Sequence, residues 1–205
     1  MITSQGQVLD GSQFGMWIDK TITEHKPNTI VEIGTWKGLG TTKRIIDSIE
    51  KNQITPTFIS LESNLSLYEI ATINLKDKLN TVKLVRGRIV DKEDVESFLS
   101  KNQITEQMKG WLRSDLNDYM NCENVLNQIP ETIDFLLLDG GEFSTYHEWI
   151  VLKERTKIVA LDDTLTLKCK QIREELLNDE NYKVIIDSSD RNGFTIFIKN
   201  EHNSI

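Results

Sequence analysis

Cysteine is nearly missing from this 205-residue chain; there are two, Cys122 and Cys169, and their separation matches no metal-ligand spacing. They read as free thiols in a reducing, cytoplasmic setting. Long apolar runs are missing as well. None approaches the roughly 18 to 20 residues that a membrane helix needs, so no membrane partner is expected. The chain does not open with a basic stretch followed by an apolar run, so no signal peptide is expected. Basic runs are also lacking, and the net charge is -8. Long-range electrostatics therefore oppose nucleic-acid binding. What remains is an ordinary globular balance of 38% hydrophobic and 27% charged residues. That length and balance predict a single domain, 1–205, with a sizeable core.

Apolar runs and amphipathic stretches alternate along the chain. Phe14, Trp17, Ile18 and Ile22 recur at helical spacing over 12–25, and Pro27 closes that helix. Strands are predicted at 29–33, 57–61, 82–86, 133–138 and 157–161, with helices at 41–53, 65–79, 145–155 and 165–179. The segments 182–187 and 193–199, joined by SSDRN, predict a closing antiparallel pair. Strands alternating with helices imply an α/β fold, a doubly wound, mostly parallel, Rossmann-like sheet of about seven strands. Residues 1–28 form an N-terminal helical segment, and the polar stretch 91–128 reads as one or two inserted helices before the fourth strand. The pentapeptide KNQIT at 51–55 and 101–105 has unrelated flanks and is no repeat. The tail NEHNSI reads as frayed.

The chemistry concentrates at the predicted strand ends. VEIGTWKGLGTT, 31–42, follows a strand and opens a helix. Gly34, Gly38 and Gly40 permit a sharp turn and close backbone approach to a ligand. The helix behind them offers unpaired N–H groups to a carboxylate or phosphate. Glu32 is costly near a buried strand end unless paired, and a ligand amino group would pair it. The spacing differs from the G-x-G-x-x-G of dinucleotide binders. The stretch resembles motif I of the class I S-adenosylmethionine-dependent methyltransferases, nearest to the small-molecule O-methyltransferases. In that family the loop cradles the methionyl part of the cofactor, with Trp36 placed to pack on it. Gly40 stands where the branch often carries Ser or Thr, leaving Thr41 or Thr42 as carboxylate ligand. Glu62, ending FISLE, is where the family binds ribose, and a carboxylate there accepts two hydroxyl hydrogen bonds. Gly87, Arg88 and Ile89, in VRGRIVD, fall where the family packs adenine.

Asp139 ends the fourth strand, in LLLDGGEFSTYHEW, and Asp162 and Asp163 end the fifth, in ALDDT. Three carboxylates on one rim repel each other unless a cation sits among them. The resemblance, to catechol-type enzymes here, implies Mg²⁺ or Mn²⁺ held by Asp139, Asp162 and Asp163, activating an acceptor hydroxyl. Asp162 or Asp163 also fits as a helix cap. The lysine base of the catechol-type enzymes is absent, since Gly140, Gly141 and Glu142 occupy its place. A sugar-methylating branch carries Asp-Gly-x-His-x-Tyr, and here Glu142 stands where its His would fall. Glu142 or His147 is then the candidate base, Glu142 preferred, with Asp139 part of the catalytic set. The resemblance spans about 29–199 and implies O-methylation of a small-molecule or sugar hydroxyl. A homo-oligomer is compatible with the sequence. Two rivals stand: a nicotinamide-dependent oxidoreductase, against which the glycine spacing, Glu32 and the terminal strand pair argue, and a non-catalytic binding module of the same fold. Trp17, Trp111 and Trp149 fit amphipathic helices and read as core.

Overall fold

The computed structural model describes Val8 and residues 11–200. Most of the predicted tail, 201–205, lies outside those residues. Seven strands form one sheet: β1 Thr29–Ile33, β2 Thr57–Glu62, β3 Lys83–Arg86, β4 Ile133–Leu138, β5 Thr156–Asp162, β6 Tyr182–Ser188 and β7 Phe194–Lys199. Their order is β3-β2-β1-β4-β5-β7-β6, parallel through β5. β7 lies antiparallel to both β5 and β6. This is the Rossmann-like architecture anticipated from the sequence. The structure adds which strand of the closing pair goes inside. β7 is almost wholly buried, and the more polar β6 takes the edge.

The helices are α1 Gln13–His25, α2 Thr41–Asn52, α3 Leu65–Asn74, α4 Lys92–Lys101, α5 Glu106–Met120, α6 Thr145–Leu152 and α7 Lys170–Leu177. α1 begins because the Ser12 hydroxyl accepts the Gly15 N–H at 3.2 Å. It ends where Lys26 turns left-handed and donates its N–H to the Ile22 carbonyl, just before Pro27. Phe14, Ile18 and Ile22 of α1 and Ile45, Ile46 and Ile49 of α2 belong to the core on one face of the sheet. Phe14 stacks on Phe194 with centroids 4.9 Å apart. The opposite face carries the other core, in which Val95 and Phe98 of α4, Tyr119 of α5, Trp149 of α6 and Ile172 of α7 pack together.

The 91–128 segment is two helices, α4 and α5, followed by a short 3-10 turn. α7 is shorter than its periodicity predicts, because residues 163–169 form a turn instead of its first helical turns. That turn proves important at the site. Trp111 departs from its expected core position and is 49% exposed, while Trp149 is buried. No helix among the described residues is long and apolar enough to cross a membrane.

Candidate functional site

The strand order reverses between β1 and β4, with β2 on one side of β1 and β4 on the other. Open α/β sheets bind ligands in the crevice that such a switch point opens at the carboxyl ends of the strands. A cavity of about 470 Å³ lies there. Its walls come from the β1 loop, the ends of β2, β3 and β4, and the inserted helix α5. That size is ordinary for a small-molecule or cofactor site.

Gly34 turns at φ 102°, and a Cβ there would lie 2.2 Å from the Asp139 carbonyl oxygen. Only glycine lets the β1 tip lie against the β4 tip. The Gly34 and Thr35 N–H groups both donate to the Leu61 carbonyl, tying the loop to β2. Trp36 adopts φ 50°, an uncommon backbone region for a large residue, and faces the cavity. Gly40 caps α2 without a side-chain hydrogen bond, so the helix presents backbone donors towards the cavity. Gly34, Gly40 and Thr41 line the cavity.

Gly38 is not on that wall. It lets the loop approach α3, since a Cβ there would sit 2.6 Å from Leu75 Cδ1. Glu32 is not on the wall either. It is fully buried beneath the loop, and its Oε2 accepts the hydroxyls of Thr42 at 2.7 Å and Ser60 at 2.5 Å. Both hydroxyls serve Oε2, while Oε1 is buried without a hydrogen-bond partner. Burial pushes the Glu32 carboxyl up to about 7 despite these donors. Thr42 is engaged with Glu32, and Thr41, whose hydroxyl also acts on that carboxylate, lines the cavity.

Glu62 ends β2 with its carboxylate in the wall. Oε2 accepts the Trp36 N–H at 2.7 Å and Oε1 accepts the Asn64 N–H at 2.9 Å. Each oxygen keeps a second lone pair for a hydroxyl. Burial raises this carboxyl to about 7. Gly87 and Arg88 also line the cavity, as does the buried Ile89. Gly87 is needed because a Cβ would meet Val125 at 2.6 Å. The Arg88 guanidinium turns to the insertion, donating to the Tyr119 carbonyl at 3.0 Å and the Val90 carbonyl at 2.9 Å and pairing with Asp91. It fastens α5 over the cavity, and α5 contributes Ser114, Asp115, Asp118 and Tyr119 to the wall. These four escape a sequence reading because they belong to no strand end. Their signal is helical spacing of polar residues on one face of α5. Asp115 is raised to about 7 by burial and by the nearby Asp118 and Glu142. Glu148 of α6, also in the wall, is raised to about 7 by burial and accepts the Tyr119 hydroxyl at 3.1 Å.

At the rim of β4 and β5, Asp139, Asp162 and Asp163 come together as expected, each with a carboxylate oxygen within 4.8 Å of the others. Their counter-charge differs from the expectation. Lys168, from the turn before α7, places its Nζ 2.7 Å from Asp139 Oδ1 and 2.7 Å from Asp163 Oδ2. Arg191 approaches Asp162 Oδ2 at 3.6 Å. Burial works against the Lys168 charge, but Asp139 and Asp163 raise its pKa well above the ordinary lysine value. Burial likewise opposes ionisation of Asp163, yet Lys168 draws its pKa below the usual range. Asp162, off the cavity wall, is raised to about 7 by burial and by Asp139. This arrangement does not fit a divalent ion held by the three aspartates, because a side-chain ammonium stands between two of them. Lys168 escapes a sequence reading that continues α7 back to residue 165, which would set it on a helix face.

The two candidate bases part company. Glu142 lies beside the rim, half-buried and off the cavity wall, with its pKa raised by burial against the pull of Lys168. His147 points away, into an aromatic group with Tyr146 and Phe98 at centroid distances of 5.6 and 6.4 Å. Its Nδ1 is buried without a hydrogen-bond partner and burial lowers its pKa. It is a packing residue between α6 and α4, outside the cavity wall.

No protein-family model and no curated protein matches the sequence. Solved structures do match the fold. The methyltransferase PaMTH1 of Podospora anserina, bound to S-adenosylhomocysteine, is 12% identical with a TM-score of 0.63, over 94% of this chain and 80% of that one. An O-methyltransferase from Bacillus cereus in complex with S-adenosylhomocysteine is 13% identical, TM-score 0.61, over 95% and 84%. The O-methyltransferase TomG of Streptomyces achromogenes, involved in tomaymycin synthesis and bound to S-adenosylmethionine, is 13% identical, TM-score 0.60, over 94% and 82%. The chain has the fold of the class I S-adenosylmethionine-dependent methyltransferases.

Proposed function

We propose that this chain is an S-adenosylmethionine-dependent methyltransferase that methylates an oxygen of a small hydroxylated acceptor, a simple alcohol, phenol or sugar. The observation that carries the reading is the meeting of the Gly34–Gly40 turn, the uncapped start of α2 and the Glu62 carboxylate in one cavity. Those groups fit the cofactor's three parts. Backbone N–H groups at the start of α2 and the Thr41 hydroxyl suit its carboxylate, Glu62 suits its ribose hydroxyls, and the apolar Ile89 beside Gly87 suits the base. When bound, the cofactor supplies an electrophilic methyl on a sulfonium. The chain supplies proximity and a fixed electrostatic setting. Asp139 and Lys168 at the rim set the charge beside the acceptor, and α5 covers one side of the cavity with Ser114, Asp115, Asp118 and Tyr119. The net charge of -8 favours a small acceptor over a nucleic acid.

Thermal unfolding with each cofactor tests this against the nicotinamide rival. S-adenosylhomocysteine is expected to raise the melting temperature and NAD to leave it unchanged, since only binding to the folded state stabilises. Protection by NAD and none by S-adenosylhomocysteine would replace the proposal with an oxidoreductase.

A further inference from the structure

The carboxylate cluster at the β4–β5 rim has the shape of a cation site, and the chain fills it from within. An Mg²⁺ ion binds oxygen at about 2.0–2.1 Å. Held at that distance by Asp139 Oδ1 and Asp163 Oδ2, it would fall in the space that Lys168 Nζ takes at 2.7 Å from both. Two cations cannot share it. Lys168 is also poorly placed to leave. Its side chain is 7% exposed. Its own N–H reaches the Thr166 hydroxyl at 3.4 Å, and the next residue, Cys169, is fully buried. Asp163 is fixed from its other side, Oδ1 accepting the Asn192 amide at 3.1 Å. Asp162 has a cation of its own in Arg191. Two side-chain cations therefore meet three carboxylates.

An ammonium carries three N–H donors, and Asp139 and Asp163 take two. Lys168 and Asp139 both line the cavity, so the third donor belongs to the space where an acceptor must lie. We propose that Lys168 stands where a divalent ion would otherwise bind, that this chain works without a metal, and that the ammonium holds the acceptor oxygen. The proposal rests on the methyltransferase reading. In the step it implies, an oxygen lone pair forms the new O–CH₃ bond. The C–S bond electrons return to sulfur, leaving a neutral thioether, and the hydroxyl proton passes to the Asp139 carboxylate. Nothing else is consumed.

Manganese titration followed by electron paramagnetic resonance, on protein saturated with S-adenosylhomocysteine, tests it without knowledge of the acceptor. The native chain is expected to leave the free Mn²⁺ signal unchanged. Lys168→Ala is expected to take up one ion per chain, and adding Asp163→Asn to abolish that uptake. Stoichiometric uptake by the native chain, lost in Asp163→Asn alone, would overturn the proposal, and so would a folded Lys168→Ala chain that takes up none. If Lys168→Ala does not fold, the native titration decides alone. Calorimetry with S-adenosylhomocysteine on the same samples reports the cofactor reading separately. Absence of binding there would sink the methyltransferase assignment while the manganese result still reports on the lysine.

Discussion

Replacing Glu62 by alanine isolates the step from carboxylate to cofactor. Glu62 is 8% exposed, and its two oxygens already receive the N–H groups of Trp36 and Asn64. A ribose held there gains hydrogen bonds to a charged group, each worth roughly 1.5–3 kcal/mol. Losing one such bond weakens binding about 10- to 150-fold. The uncomplexed protein is expected to suffer less. Burial raises this carboxyl to about 7, so its removal also relieves a desolvation cost, and water in the cavity can reach the two freed N–H groups. Glu62→Gln keeps the volume but turns an amide NH₂ towards one of the two backbone donors. It is expected to fall between the native chain and alanine. Calorimetric titration with S-adenosylhomocysteine, beside a melting curve of each unliganded variant, separates affinity from stability. A native dissociation constant in a folded Glu62→Ala chain would refute the reasoning and remove Glu62 from the site.

Gly34→Ala puts a Cβ 2.2 Å from the Asp139 carbonyl at a φ of 102°; it is expected to cost at least about 2 kcal/mol in denaturant unfolding, and a neutral result would show that the β1 and β4 tips are not so tightly joined. His147→Ala is expected to lower the melting temperature, through lost contact with Phe98 and Tyr146, while leaving S-adenosylhomocysteine affinity within about twofold; a large loss of affinity would return His147 to the site. Glu32, Glu62, Asp115 and Glu148 are all raised to about 7 by burial. The folded chain then holds protons that the unfolded chain has released, so stability is expected to fall as pH rises from about 5 to about 7, by up to roughly 1.4 kcal/mol per pH unit for each group. Urea unfolding that shows constant or rising stability across that window would contradict the burial of these carboxyls.

The elements and the strand-end walls of the cavity were legible in the sequence by itself. Five parallel strands, the glycine turn after β1 and the acids at the strand ends are local features, and periodicity and glycine placement report local features faithfully. It also brought Asp139, Asp162 and Asp163 to one rim, because strand ends of one parallel sheet share an edge. Charge partners were beyond its reach. The hydroxyls that meet Glu32 Oε2 come from Thr42 on α2 and Ser60 on β2, which no local pattern around Glu32 announces. His147 looked available because Phe98, which packs on it, sits in the insertion. α5 reached the cavity through the hold of Arg88 on the Tyr119 carbonyl, a contact between segments 31 residues apart. Lys168 is the plainest case: a lysine shortly after an aspartate pair is unremarkable in the chain, and only the turn at 163–169 carries its ammonium between two carboxylates. Buried charge is satisfied through space, by whichever donor the packed chain brings within about 3 Å, and that pairing exists only once the tertiary structure has formed.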